Sequence, residues 1–341
     1  MLFRSVAAHR SGRREQYDGP LVDYGQLIST AWRMTWRYRG LWVVGLFAGS
    51  ASGSGGTFFN SGGGGTTGAE SFGDAAPGLS DDQLSEVLAQ VSQAVPVLIA
   101  VGVILLVIYL IFWLLSVACQ SAVIAGGGEA ATGADVTLGG AWSNGMKAFG
   151  RLAGLDLLWL VVWLVTISAV VAYAVSALGR TGLNASFLFG LFSVIALLGI
   201  IASVLSVVIA YAQRAIVLDG RGPIEGLASG FSLARTHLGT SVILWLIGLA
   251  LSIGGGIALI IGLIVAAIPG LIVGGVLALI VNASGGPGVV PLIAAIGVTV
   301  LVAALVGGAA LNTLLWHFWT LSYLRLTHPT APLPPPPVLS S

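Results

Sequence analysis

Charge is what this sequence has least of. Of 341 residues, 8% are Asp, Glu, Lys or Arg, against about 25% in an average soluble domain. The mean hydropathy is +0.98. Such a chain cannot cover its own surface with polar groups, so its solvent is largely lipid. A formal net charge of +1 leaves no global field to attract nucleic acid. A single cysteine, Cys119, excludes an internal disulfide and the paired spacings of zinc sites. It lies within an apolar run and reads as a small helix residue. Four histidines, His9, His237, His317 and His328, lack the HExxH spacing or anything like it. No nucleophile with its base is visible. Neither a metal nor another cofactor is expected, and the chain is not read as an enzyme.

What the sequence has in abundance is long apolar runs. About 20 apolar residues cross a ~30 Å hydrocarbon core. Val97–Ala118, Leu157–Leu178, Phe187–Ala212 and Val289–Tyr323 all qualify, and a fifth window runs from Ser241 to about Ile268. None contains a charge. A sixth, Leu41–Ser50, is too short alone and needs its flanks to extend it. The predicted fold is all-α, a polytopic transmembrane helical bundle of about six spans, plasma-membrane located.

Arginine and lysine placement orients the bundle. With the N-terminus cytoplasmic, thirteen of the fourteen basic residues fall inside and only Arg180 outside. Both termini are then cytoplasmic. Residues 1–20 have basic side chains but no apolar stretch after them, so they read as a disordered tail rather than a cleavable signal. Residues 21–325 form the membrane domain. Its outer loop, about 51–94, has five acids and no basic residue. The first half of that loop is a Gly/Ser-rich low-complexity stretch. The second half, LSDDQLSEVLAQVSQ, predicts a helix leading into the next span, with Ser80 as its cap. Residues 326–341 are a proline-rich cytoplasmic tail of polyproline II type, either a disordered end or a ligand for a partner's aromatic groove.

Between Arg235 and Arg325 lie 89 residues without Asp, Glu, Lys or Arg. Pro269-Gly270 and the stretch 282–288 (NASGGPG) interrupt this run. Two crossings are expected, with 268–288 a short or re-entrant piece on the outer side.

Three stretches preceding spans look alike: AWRMTWRYRG (31–40), GMKAFGRLAG (145–154) and GFSLARTHLG (230–239). Leu227, Phe231, Ala234 and Leu238 in the third share a helical face, as do Trp142, Phe149 and Leu152 around the second. Each reads as an interfacial amphipathic helix with its cations at the headgroups. Gly40, Gly154 and Gly239 would make the turn into the bilayer. The implied headgroup contacts are Arg33, Arg37, Arg39, Lys147, Arg151 and Arg235.

Two longer stretches, DYGQLISTAWRMTWRYRGLWVVGLFAG and AIVLDGRGPIEGLASGFSLARTHLG, resemble bacterial polytopic membrane proteins. They are similar to the membrane domain that precedes the catalytic barrel in some bacterial glycerophosphodiester phosphodiesterases. The likeness spans most of residues 20–325 and implies a helical membrane domain. The phosphodiesterase activity belongs to the barrel, which is not read in this chain.

Ionisable groups at membrane depth are functional candidates. Asp156, Arg214 and His317 all fall near the cytoplasmic ends of spans. Either they gather as an ion pair with a histidine partner, or each meets headgroups or water alone. Gln120 and Asn312 are expected to hydrogen-bond between helices. Trp316, Trp319 and Tyr323 read as an aromatic belt. Small-residue motifs at Gly270–Gly274 and Gly307–Ala310 permit close helix packing. A non-enzymatic module that binds membrane lipids, or scaffolds a protein partner or second copy, fits these features. The alternative is a permease for a hydrophobic or lipid-like substrate.

Overall fold

The computed structural model describes residues 23–48, 81–182 and 184–328. The basic tail, the low-complexity half of the outer loop, Ser80 and the proline-rich tail beyond His328 lie outside the described residues. Every regular element among those described is a helix. In chain order they are α1 (Tyr24–Arg37), α2 (Leu41–Phe47), α3 (Asp81–Ala131), α4 (Leu138–Met146), α5 (Phe149–Thr181), α6 (Ala185–Leu218), α7 (Pro223–Thr236), α8 (Leu238–Ala283) and α9 (Val289–Thr327). Five of them, α3, α5, α6, α8 and α9, are long and apolar enough to cross a membrane. The chain is an integral membrane protein of helical type. Helix α2, seven residues and about 10 Å long, is too short to cross by itself.

Nearly all burial lies at one end of the bundle. There the C-terminal parts of α3, α6 and α9 and the first turns of α5 and α8 meet the short helices. The other halves of the long helices are exposed along most of their length, as at Val101–Leu110 and Val161–Val165. Exposed apolar surface on this scale is stable in contact with lipid.

A glycine triplet, Gly126-Gly-Gly128, is the hub of the packed end. Successive helix positions point about 100° apart, so each glycine faces a different neighbour. A side chain on Gly126 would press on Ala141 of α4 and Leu41 of α2, one on Gly127 on His317 of α9, and one on Gly128 on Leu218 of α6. The short helices dock by the same device. Gly145 of α4 lies against the α3 backbone at Ala122, and Gly230 of α7 against Val208 and Ala212 of α6. Gly45 of α2 lies against Ala309 and Thr313 of α9.

The region 268–288 corrects the expected re-entrant piece. Helix α8 runs unbroken through Pro269, and a tight turn at residues 284–288 leads directly into α9. The reason is the register of this hairpin. Gly248 lies opposite Phe318, Gly255 opposite Leu311, Leu259 opposite Gly307, Gly270 opposite Ile296 and Gly274 opposite Leu292. A Cβ on Gly270 or Gly274 would lie 2.8 or 2.9 Å from the facing Cα atom. Close packing along this seam accompanies a helix that is continuous through Pro269, although the proline removes one backbone hydrogen bond.

The repeated stretches are also corrected. In each, a short helix breaks just before the next one begins, at Tyr38, Ala148 and His237. None of Gly40, Gly154 and Gly239 makes a left-handed turn: the glycines with positive φ are Gly133, Gly182, Gly220 and Gly285. In the third copy the inward face is Gly226, Gly230 and Ala234, while Phe231 and Leu238 point outward. Small residues win this face because α7 lies directly on the α6 backbone. In the second, the break at Lys147–Ala148 separates Trp142 from Phe149 and Leu152, and the three pack on two different parts of the core.

Candidate functional site

The buried polar side chains all lie at the packed end. Their hub is Gln213 on α6. Its side-chain nitrogen donates to Gln120 Oε1 of α3 at 3.4 Å, and Gln120 in turn donates to Ser116 Oγ at 3.3 Å. The Gln213 amide also hydrogen-bonds Asp156 of α5 and accepts from Arg214 Nη1 at 3.4 Å. A carboxylate and a guanidinium, both buried, are thus linked through one amide. No direct ion pair joins them: the ion pairs among the described residues are Arg37–Asp135 and Arg221–Asp219, each at 3.5 Å. Arg214 donates further to its own helix at Ala210 O, 2.8 Å away. Its guanidinium lies 4.7 Å from the centroid of the Trp316 ring, where the π-face replaces part of its lost hydration.

His317 stands beside this network and turns away from it. Its Nδ1 lies 3.2 Å from Thr35 Oγ1 on α1. The Thr35 hydroxyl already donates to Ala31 O at 2.9 Å, so Nδ1 carries the proton and Thr35 accepts it. The fold therefore joins Asp156 to Arg214 through Gln213 and ties His317 to α1 instead. The geometry fastens helices α3, α5, α6 and α9 to one another.

Two of the three residues expected in the aromatic belt are buried instead, and Trp319 is half-buried. Trp316 and Tyr323 are each 1% exposed. Trp316 supports Arg214, and the Tyr323 hydroxyl donates to Asp219 at 2.7 Å. Two expected interhelical bonds are present. Gln120 takes part in the α3–α6 link, and the Asn312 side-chain nitrogen donates to the carbonyls of Gly45 and Ala48. Those carbonyls end α2, so Asn312 caps a helix that stops inside the bundle. Gln213 was not singled out from the sequence. Its signal was a second glutamine, like Gln120, at the end of an apolar run.

The expected headgroup residues surround this core. Arg33, Arg37, Arg39, Lys147 and Arg235 are exposed and Arg151 is half-buried, all at the packed end. Arg180 is at the opposite end of α5. Arg151 reaches the carbonyl of Gly220. Arg39 stacks on Trp36, 5.5 Å from its centroid.

Beside α1 runs a groove of about 1090 Å³ between that helix and the α8–α9 hairpin. Trp32, Trp36, Trp42, Arg33 and Arg39 line its mouth. Its floor is small and apolar, with Gly254, Ala258 and Gly262 on α8 and Ala303, Gly307 and Ala310 on α9. The sequence signals for it were the four-residue spacings Trp32–Trp36 and Gly254–Ala258–Gly262.

In comparisons with known proteins, the model of a family of unknown function (DUF7544) matches residues 32–326. No curated protein matches, and no solved structure matches.

Proposed function

The chain belongs to the family of unknown function DUF7544, and we propose that it is a non-enzymatic, lipid-interacting module of the plasma membrane. One observation carries this reading: six candidate headgroup cations converge in space on the packed end, and Arg180 stands alone at the other. On this reading the packed end faces the cytoplasm and its short helices lie at the inner interface. The chain crosses six times, with α2 beginning the first passage.

Juxtamembrane Lys and Arg attract anionic lipid. The test is the preference of the purified protein, reconstituted in phosphatidylcholine, for brominated phosphatidylglycerol, read by tryptophan quenching. Neutralising Arg37, Lys147 and Arg235 together to Gln should bring that preference down several-fold. An unchanged preference would refute the electrostatic reading. A second reading, a permease for a hydrophobic or lipid-like substrate, draws on α2, a helix that ends inside the bundle with its carbonyls held by Asn312. Broken helices of this kind line transport sites. Flux or lipid scrambling in reconstituted vesicles would support it.

A further inference from the structure

We propose that the groove between α1 and the α8–α9 hairpin binds one anionic phospholipid, with its phosphate at Arg33 and Arg39 and an acyl chain along the glycine-lined floor. This deepens the lipid-interacting reading above and rests on it. Four observations point to that occupant. First, the groove is graded: the α1 side carries Arg33, Arg39, three tryptophans and the hydroxyls of Ser29 and Thr35, and the α8–α9 side only glycine, alanine, leucine and Val306. Indole rings favour the headgroup level of a bilayer, and the floor offers an acyl chain no polar partner. Second, the floor has the right length. From Leu314 to Ala303 on α9, and from Leu251 to Gly262 on α8, it runs about 16 Å, close to half of a ~30 Å hydrocarbon core. Third, at about 1090 Å³ the volume lies at the top of the ~300–1,000 Å³ range of pockets for drug-sized ligands, as an elongated occupant requires. Fourth, the charge is complementary. Neither Arg33 nor Arg39 is paired with a carboxylate among the described residues, whereas Arg37, one turn along α1 from Arg33, is paired with Asp135.

The groove can be filled without disturbing the fold. A Cβ added at Gly254 or Gly262, both of which line the groove, meets no atom within 4 Å, so leucine at these positions is accommodated without displacing a neighbour at its Cβ. Helix propensity favours the change. Gly275, on the same helix and equally open but outside the groove lining, serves as a control.

The experiment is native mass spectrometry of the full chain, released from detergent micelles doped with equal amounts of phosphatidylglycerol and phosphatidylcholine. Wild type and Gly275→Leu should retain one phosphatidylglycerol per chain. The double variant Gly254→Leu/Gly262→Leu, checked for an unchanged melting temperature, should lose it. Arg33→Gln/Arg39→Gln should still retain one lipid, with its preference for phosphatidylglycerol reduced about tenfold or more. Retention of phosphatidylglycerol by the filled-groove variant would overturn the proposal. So would a groove-dependent dimer mass in place of lipid. The two readings fail separately. If the filled groove behaves as wild type while the Arg37/Lys147/Arg235 variant loses its anionic preference, the groove falls and the lipid-interacting module stands. If neither variant changes anything, both fall.

Discussion

Asp156 and Arg214 should behave as one energetic unit even though they do not touch. Both are buried, at 6% and 1% exposure, and they meet only through the Gln213 amide. Removing one end of a buried hydrogen-bonded bridge leaves the facing groups without a partner, at about 1–3 kcal/mol and more where one of them is charged. Each single change, Asp156→Asn or Arg214→Met, should therefore destabilise by about 2–4 kcal/mol. The Arg214 change also forfeits the contact with Trp316, about 2 kcal/mol at a desolvated site. The double variant leaves no stranded charge, so its loss should fall short of the sum by about 1–3 kcal/mol. Gln213→Leu, which cuts the link and leaves both charges, should cost as much as either single change. Equilibrium unfolding in mixed dodecylmaltoside and SDS micelles, followed by circular dichroism, measures all four. Additivity within about 0.5 kcal/mol would show that the two charges are independent and that Gln213 only packs.

Two further tests address the helices that carry the site. Asn312→Leu removes the donor to Gly45 and Ala48. At about 0.6–1.7 kcal/mol per interhelical bond it should cost about 1–3 kcal/mol and speed amide exchange in α2; unaltered exchange there would rule out the capping role. Gly274→Leu must push the α9 backbone away at Leu292 and should cost about 1–3 kcal/mol, while Gly275→Leu, which meets open space, should be neutral or slightly stabilising. Equal melting temperatures for the two variants would contradict the described seam.

The long helices were legible because hydropathy alone determines them: a run such as Val97–Ala118 has no other stable fate in a membrane. The merger of the acidic helix with the next span into α3 was legible for the same reason. What eluded the sequence was set by small residues. A glycine reads locally as a breaker or a turn, which made Gly40, Gly154 and Gly239 look like bends and Pro269-Gly270 look like an interruption. In the fold, glycines such as Gly230 and Gly270 are contact surfaces, a property of the partner helix that no local window contains. The aromatic residues failed similarly. Trp316 at a span end suggests an interface anchor, but the cation that claims it is on another helix. For the charged residues, the three singled out do lie in one body. Which of them meet is decided by helix rotation and by Gln213, and neither is visible in spacing.

On the proposed orientation, the position of the buried charges has a simple explanation. Let the turn between α5 and α6, at residues 182–184, mark the outer surface. About 20 residues per helix cross the hydrocarbon, which ends near residue 162 on α5 and residue 204 on α6. Asp156 and Arg214 then lie about 9 and 15 Å beyond that edge. Both lie toward the packed end of their helices and not at mid-span, where an uncompensated charge would be far more costly. On α3, counted from Val97 where its apolar run begins, the same 20 residues end at about Val117, so that Gln120 and Ser121 lie about 5 Å beyond the edge. The apolar stems are thus interchangeable with any sequence of equal hydropathy and length, the close α8–α9 seam excepted. Specific side-chain identity is required only at the packed end and along the groove that opens from it.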